Sequence, residues 1–189
     1  MDDRMHDAKH PRTVLAGPYG HPFHPIAVTV PIGAWVCALV FDVGALLLDQ
    51  PSALLTGALW LIAVGVVGAL IAAGLGVLDL MVIPRRTAAY RTAVLHMGLN
   101  LLVAAAFAGS FYFRTRGLIG TMADNQPWAV VSDVVLLAFL GVSGYLGGTL
   151  AYRYGIRVAA EGTQRTGFDP REETPVSSQP RTQGHRTAP

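Results

Sequence analysis

Charged residues are scarce in the middle of this chain of 189 residues, and only ten occur between Ile26 and Tyr152. They leave four predominantly apolar segments, which are residues 26–48, 53–83, 88–113 and 129–152. About 20 apolar residues suffice for a helix to cross the hydrocarbon core of a bilayer. None of the segments alternates as a half-buried strand does, and a backbone in lipid must satisfy its own hydrogen bonds. The sequence therefore predicts an all-α transmembrane four-helix bundle.

The composition excludes several classes of protein. Charged residues make up 14% of the chain, against about 25% in soluble domains, so neither a soluble enzyme nor a disordered regulator fits. A net charge of +2 is too small to indicate nucleic-acid binding. The single cysteine, Cys37, excludes an intrachain disulfide and a CxxC motif. The sequence contains no nucleophile elbow, phosphate loop or HExxH pattern. It predicts a multi-pass protein of the cell membrane, surrounded by lipid, and does not predict an enzyme.

Basic residues indicate the orientation of the bundle, because cytoplasmic loops are enriched in them. They occur before the first span, around the connection between spans two and three, and after span four: Arg4, Lys9, Arg12, Arg85, Arg86, Arg91, Arg153 and Arg157. Only Arg114 and Arg116, in the third connection, oppose this pattern. We therefore expect both termini on the cytoplasmic side.

The chain divides into three parts by composition. Residues 1–25 form an N-terminal cytoplasmic segment that ends in a His-Pro loop, and residues 26–158 form the transmembrane domain. Residues 159–189 are rich in Thr, Arg, Pro, Gln and Ser. Such a segment has too few apolar side chains to form a core, so it is predicted to be a disordered cytoplasmic tail.

Glycines are concentrated in the second and fourth spans: Gly57, Gly65, Gly68, Gly74, Gly76, Gly141, Gly144, Gly147 and Gly148. In lipid, small residues allow two helix backbones to approach closely. These glycines therefore predict tight helix–helix contacts, either within one chain or between the two protomers of a homodimer. Without accompanying phosphate-binding chemistry they do not indicate a ligand site.

Five polar side chains are predicted to gather in the cytoplasmic half of the bundle: His21, His24, Asp79, His96 and Asn100. Ionisable groups at membrane depth are costly and should face the bundle interior, a partner or water. His96 lies about 12 Å, and Asp79 about 8 Å, from the inner ends of their spans. Asn100 follows His96 by one helical turn and shares its face.

Three roles are open for this group. His96 could be one axial ligand of a b-type haem, with His24 or His21 as the other, because two imidazoles from facing helices can hold such a haem. A transition metal could instead take its ligands from His21, His24, His96 and Asp79. In the structural alternative, His96 donates an interhelical hydrogen bond to a backbone carbonyl or to Asp79, and the loop histidines lie at headgroup level.

A second pair of carboxylates lies in the outer half. Asp42 and Asp133 are each about 9–10 Å from the outer boundary, on different helices. They could share a proton, pair with Arg114 or Arg116, or line a wet cavity. The alternative is that each binds a neighbouring hydroxyl or backbone group and only orients the bundle.

Three blocks of sequence carry a resemblance to a known family. The first is Gly20-His21-Pro22-Phe23-His24-Pro25 with Pro31-Ile32-Gly33 and Phe41-Asp42. The second is Gly74-x-Gly76-Val77-Leu78-Asp79 with Leu95-His96-x-x-Leu99-Asn100. The third is Ser143-Gly144-Tyr145-Leu146-Gly147-Gly148 with Tyr152-Arg153-Tyr154-Gly155. Together they resemble the DUF2231 family of bacterial four-helix integral membrane proteins, whose function is unknown. Some members are fused to Rieske-type iron–sulfur domains, so the resemblance implies a redox setting and favours haem b and redox membrane partners.

Three classes of function fit these observations. The first is a membrane redox component that holds haem b or a metal near the cytoplasmic side. The second is a non-catalytic structural or accessory membrane protein, in which the polar residues lock the helices together. The third is a small transporter or proton pathway that uses Asp42, Asp79, His96 and Asp133. Four helices without broken-helix repeats make a narrow bundle, which disfavours the third.

Overall fold

The computed structural model describes residues 3–48, 52–118 and 126–168. Within these ranges the chain is helical and contains no strand. The elements of the first compact unit are α1 (Asp3–Lys9), a 3-10 turn (Val14–Ala16), α2 (His24–Ala27), α3 (Thr29–Leu47), α4 (Ser52–Leu80), α5 (Ala88–Thr115), α6 (Gln126–Gly148) and a π-helical turn (Thr149–Arg153). The second unit contains the short helix α7 (Glu161–Arg165).

Four helical segments in the described residues are long and apolar enough to cross a membrane: His24–Leu47, Ser52–Leu80, Ala88–Thr115 and Gln126–Arg153. They confirm the predicted all-α fold with four transmembrane helices. Three stretches lie outside the described residues, namely residues 49–51 between the first two spans, most of the third connection (119–125) and the part of the predicted tail beyond residue 168. The orientation of the termini stays a prediction.

The observed span boundaries differ from the predicted ones by a few residues. The second span ends at Leu80 rather than at residue 83, because the chain turns before Pro84, which cannot continue a helix. Arg86 has a φ of 65° in this turn. The next span then begins behind Thr87, whose hydroxyl oxygen accepts a hydrogen bond from the Tyr90 N–H at 3.1 Å. This is the hydrogen bond of a helix N-cap.

The four long helices form a ring in which α3 contacts α4, α4 contacts α5, α5 contacts α6, and α6 contacts α3. Neighbours run antiparallel, since Phe41 lies beside Gly57 and Val30 beside Gly68. We call the end of the ring where the chain enters α3 and leaves α6 the terminal end. The other end, where α3 finishes and α6 begins, is called the loop end.

Trp35 and Phe107 occupy the centre of the ring. Their side-chain rings stack with centroids 4.2 Å apart, and neither residue is more than 1% exposed. Large apolar side chains such as Leu47, Trp60 and Leu102 point outward instead. Lipid tails are as apolar as these side chains, so an outward apolar surface is stable in a bilayer. The bundle therefore stacks Trp35 and Phe107 at its centre and presents many other large apolar side chains to lipid.

Three glycines of α4 lie directly against side chains of α3: Gly57, Gly65 and Gly68. A Cβ added to Gly57 would collide with the Phe41 ring, and one added to Gly65 would collide with Trp35. The prediction of a tight glycine seam is thus confirmed within the chain for this pair of helices. On α6, Gly141 and Gly144 have open space where a Cβ would lie. The predicted homodimer stays a prediction.

Candidate functional site

His96 faces α6 from α5 in the terminal half of the bundle. Its Nδ1 lies 2.8 Å from the carbonyl oxygen of Ser143 and 3.0 Å from the hydroxyl of the same residue. A carbonyl oxygen can only accept, so Nδ1 carries the hydrogen and Nε2 keeps its lone pair. The expected interhelical hydrogen bond of His96 is therefore present, and its partner is a backbone carbonyl rather than Asp79.

Asn100 lies one turn further along α5 and touches the same imidazole. Its side-chain nitrogen is 3.3 Å from His96 Nδ1 and 3.2 Å from Nε2, and it donates to the His96 carbonyl oxygen at 2.9 Å. A donor equally near both ring nitrogens does not lie along the lone pair of either. Asn100 therefore holds the ring in place and leaves the Nε2 lone pair available to a ligand.

His24 makes the corresponding contact on the other side of the bundle. It is the first residue of α2, and its Nδ1 lies 2.8 Å from the carbonyl oxygen of Ala72 on α4. By the same reasoning, Nδ1 donates its hydrogen and Nε2 presents a lone pair. A hydrogen bond from the second ring nitrogen to a backbone carbonyl is the usual way in which proteins orient a metal-binding histidine.

A glycine makes room for each of these two imidazoles. In an α-helix, the side chain of residue i+4 covers the turn that contains the carbonyl oxygen of residue i. Ala72 is followed four residues later by Gly76, and Ser143 by Gly147. A Cβ at Gly76 would lie 3.2 Å from the facing imidazole Cε1, and one at Gly147 would lie 3.1 Å from the other. The glycines uncover the two acceptor carbonyls and allow each ring to lie against a helix backbone.

The two imidazoles face each other across the bundle. The ring centroids of His24 and His96 are 6.3 Å apart, and the ring planes are at 89°. Metal–imidazole bonds are about 2.0–2.1 Å long, so two imidazoles on opposite sides of one ion have centroids roughly 6 Å apart. The observed centroid separation is close to this value.

The remaining residues of the predicted inner group lie elsewhere. His21 is exposed, and its Nδ1 has a 3.4 Å contact with the carbonyl oxygen of Tyr19. Asp79 forms an ion pair with Arg157, in which Oδ1 and Nε are 2.9 Å apart. The N–H of this guanidinium does not point along that line, so the contact is an ion pair without an aligned hydrogen bond.

Arg157 was not predicted to belong to any site. Its Nη2 donates to the carbonyl oxygens of Ala16 and Gly17 at 2.8 and 2.9 Å, and its backbone N–H donates to Ala8 at 3.0 Å. Its φ is 60°, an uncommon value for a residue other than glycine. Arg157 therefore ties the N-terminal segment to the terminal end of α4. The sequence contained one indication of this role. Arg157 follows the fourth span by a few residues, and that span ends on the same side of the bundle as Asp79.

The predicted transition-metal site needs three or four ligands. In the part of the chain that the structure describes, no group of three or more His, Cys, Asp or Glu side chains is placed to hold a metal ion. Of the four ligands proposed for it, His24 and His96 are together, whereas His21 and Asp79 have the separate contacts given above.

A buried charge cluster lies in the loop half of the bundle. Arg114 donates from Nη1 to Asp42 Oδ2 at 2.6 Å and from Nη2 to Asp133 Oδ1 at 3.0 Å. The three side chains are at most 1% exposed. Of the alternatives for the two carboxylates, pairing with Arg114 is the one observed. Arg114 therefore points into the bundle, and its charge is not part of the third connection.

Two polar residues that sequence reasoning missed complete this charge cluster. Gln126, the first residue of α6, donates from Nε2 to Asp42 Oδ1 at 3.1 Å and to the Asp42 carbonyl oxygen at 3.2 Å. The Ser110 hydroxyl accepts from Arg114 Nε at 3.2 Å. Ser110 was detectable in principle, because it precedes Arg114 by one helical turn. Gln126 lay outside the predicted span and carried no such signal.

The chain matches a family profile described as "Predicted membrane protein (DUF2231)" over residues 20–160. The chain belongs to this family. The matched DUF2231 region contains all four spans, both imidazoles and the buried charge cluster. Comparison with curated proteins and with solved structures found no match.

Membership of DUF2231 assigns a membrane location and an architecture, but it does not assign an activity. The geometry around His24 and His96 consequently carries the functional argument. The signal that could have located this site is the repeated spacing of a small residue and a glycine four positions later, in Ala72-x-x-x-Gly76 and Ser143-x-x-x-Gly147. Each pair lies on the helix opposite one of the histidines.

Proposed function

We propose that this DUF2231 protein is a membrane redox component that binds a b-type haem, which His24 and His96 would hold. The observation that supports this most directly is the pair of imidazoles with centroids 6.3 Å apart. Each ring donates from Nδ1 to a backbone carbonyl at 2.8 Å. Both Nε2 lone pairs are therefore available, and both rings are held in fixed orientations.

The donor set fits a haem better than a bare metal ion. A haem supplies four equatorial nitrogens of its own and needs two axial ligands from the protein, whereas a bare ion needs three or four protein ligands. Two imidazoles from different helices of a bundle meet the first requirement. Gly76 and Gly147 add to the fit, because each allows an imidazole to lie against a helix backbone and away from the centre of the gap.

When bound, haem b supplies reversible one-electron chemistry at iron. The chain itself orients the two imidazoles. Ala72 and Ser143 fix the tautomers of the two imidazoles through their carbonyl oxygens, and Asn100 steadies the His96 ring. The apolar outer faces of the helices keep this part of the bundle in lipid and away from water, which influences the redox potential of a metal centre.

A structural role for the two histidines is the second candidate, and the same hydrogen bonds favour it. His24 joins α2 to α4 and His96 joins α5 to α6, each at 2.8 Å. Such interhelical hydrogen bonds contribute about 0.6 kcal/mol on average in membrane proteins. The structural role uses only Nδ1, whereas haem ligation also uses Nε2. The two candidates therefore differ in whether the protein is coloured.

The first test is absorbance of the protein purified in mild detergent from cells supplied with a haem precursor. We expect a Soret band in the wild type and its loss in both His24→Ala and His96→Ala. His21→Ala is the matched control, since His21 lies in the same loop as His24 but is exposed. We expect this variant to keep the band. A colourless wild type, or a Soret band that survives in both ligand variants, contradicts the proposal.

A second test uses the glycine against which His96 lies. Gly147→Ala would place a Cβ 3.1 Å from the imidazole Cε1 and cover the Ser143 carbonyl. Loss of an outer-shell hydrogen bond typically weakens metal binding about 10- to 100-fold, and we expect haem binding to weaken by this amount. Gly144→Ala is the control, because nothing lies within 4 Å of its added Cβ.

Haem titration of the apoprotein, followed by Soret absorbance, measures both variants. Equal haem affinities in Gly147→Ala and Gly144→Ala would show that the contact of the His96 imidazole with Gly147 has no influence on haem binding. The proposal requires the two variants to differ.

A further inference from the structure

We propose that the buried charge cluster of Asp42, Arg114 and Asp133 is a proton-binding site, which holds one exchangeable proton between its two carboxyl groups. The site lies at the loop end of the bundle and does not depend on haem binding. It assigns a ligand, a single proton, to a cluster that the redox proposal does not use.

The charges of the cluster balance only if one carboxyl group carries a proton. An arginine side chain stays protonated in proteins, so the cluster contains one permanent positive charge and two carboxyl groups. If both carboxyl groups were ionised, one negative charge would remain uncompensated among side chains that are at most 1% exposed. An uncompensated charge away from water is strongly disfavoured, and a group in that position takes up a proton instead.

The surrounding helices provide no second cation. On α5, Ser110 contributes a hydroxyl, and on α6, Gln126 contributes an amide. On α4 the only charged residue is Asp79, which lies near the terminal end. Among the described residues that pack here, Arg114 is therefore the sole positive charge against two carboxyl groups.

The two carboxyl groups are bound by one guanidinium. Asp42 Oδ2 accepts from Arg114 Nη1 at 2.6 Å and Asp133 Oδ1 accepts from Nη2 at 3.0 Å, which brings the two carboxyl groups side by side. Two ionised carboxylates have only acceptors, so a hydrogen bond between them requires that one carries a proton. Two carboxyl groups that are bound side by side by one guanidinium can share one hydrogen in this way.

Unpaired polar atoms at the same place support this. Within the described residues, Asp133 Oδ2 and Gln126 Oε1 are buried without a hydrogen-bond partner. Asp133 is fully buried and Gln126 is 3% exposed. A buried acceptor without a donor is costly. A proton on one of the carboxyl groups supplies the missing donor, whereas a second ionised carboxylate would only add acceptors.

A metal cation is a poorer occupant than a proton. One oxygen of each carboxyl group already accepts from the Arg114 guanidinium, at 2.6 and 3.0 Å. A cation beside this guanidinium would meet a like charge at short range. A proton needs no coordination sphere and fits between two oxygens.

The ion pair at the terminal end provides the contrast. Asp79 and Arg157 are 2.9 Å apart and form one carboxylate with one guanidinium. This pair is balanced without a proton. The same chain therefore contains one balanced pair and one cluster with a surplus carboxyl group, and only the second should hold a proton at neutral pH.

Infrared spectroscopy of the full-length protein in detergent tests this directly. We expect the wild type at neutral pH to show the C=O stretching band of a protonated carboxyl group, shifted by exchange into D₂O. Asp42→Asn and Asp133→Asn should each abolish the band, because each leaves one carboxylate opposite one guanidinium. Both substitutions preserve side-chain shape and charge balance, so both variants should fold. Asp79→Asn is the matched control and should keep the band.

Each result of the infrared experiment either supports or overturns the proposal. A band that is present in the wild type and in Asp79→Asn, and absent from both cluster variants, supports the proton-binding site. Absence of the band from the wild type overturns it. A band that persists in either Asp42→Asn or Asp133→Asn also overturns it, since the proton would not then depend on the pair.

Discussion

Arg114→Met is expected to lower the free energy of unfolding by about 3–5 kcal/mol, the usual effect of removing one partner from a buried ion pair. The substitution removes the donors to Asp42, Asp133 and Ser110. Two carboxyl groups then remain buried without a guanidinium. Reversible unfolding in mixed detergent micelles, followed by far-UV circular dichroism, measures the change.

The neighbouring Arg116 provides the control. It is exposed, and its guanidinium carbon lies 5.2 Å from the Tyr112 ring centroid. Exposed cation–π contacts contribute about 0.5–1 kcal/mol, so Arg116→Met should have a small effect. The triple variant with Arg114→Met, Asp42→Asn and Asp133→Asn should recover much of the loss, because uncharged replacements of buried ion pairs are often tolerated. Equal losses in the two arginine variants would contradict the assigned role of Arg114.

Gly65→Ala is expected to destabilise the bundle by about 3 kcal/mol, at the upper end of the usual effect of overpacking. The added Cβ would lie 2.7 Å from Trp35 Cε2 and closer still to Nε1. Trp35 cannot move away, because its ring stacks on Phe107 at a centroid distance of 4.2 Å. Unfolding in micelles and the fluorescence of Trp35 should both report the change.

Gly74→Ala on the same helix is the matched control. Nothing lies within 4 Å of a Cβ at this position. In soluble helices, replacing glycine by alanine at an unhindered interior position stabilises the helix by up to about 1 kcal/mol. We expect Gly74→Ala to be neutral or slightly stabilising. Destabilisation by the same amount as in Gly65→Ala would show that the contact with Trp35 does not determine the effect.

The secondary structure was predictable because the bilayer leaves few alternatives. A backbone in lipid must satisfy its hydrogen bonds internally, and the apolar segments are long enough only for spanning helices. The predictions were wrong only at the ends of the helices, where individual residues determine the boundary. Because of Pro84, α4 ends at Leu80, three residues before the end that hydropathy predicted. At its other boundary, α6 begins at Gln126, three residues before the predicted start.

The buried charge cluster was predictable only in part. The spacing of Asp42 and Asp133 from the ends of their helices placed them at one depth, and pairing with Arg114 was one of several alternatives. Arg114 is the penultimate residue of α5 and was counted as a basic residue of the third connection. Its side chain points back into the bundle, and only Arg116 continues to oppose the predicted orientation.

The pair of imidazoles was also predictable only in part. Depth along a helix follows from sequence, and it indicated that His96 and the two loop histidines lie in the same half of the bundle. The choice between the two loop histidines depends on how the chain turns between Phe23 and α3. The structure places His24 against α4 and leaves His21 exposed.

The sequence by itself determined that this protein is a bundle of four transmembrane helices and which few polar residues lie at depth. It could do so because hydropathy and helical rise are local quantities. Tertiary structure decided which of those residues meet. Packing between helices that are far apart in sequence determines how each helix is rotated about its axis. It also determines which glycines lie against an imidazole and in which direction the Arg114 side chain points. These contacts separate the imidazole pair at the terminal end from the carboxyl pair at the loop end.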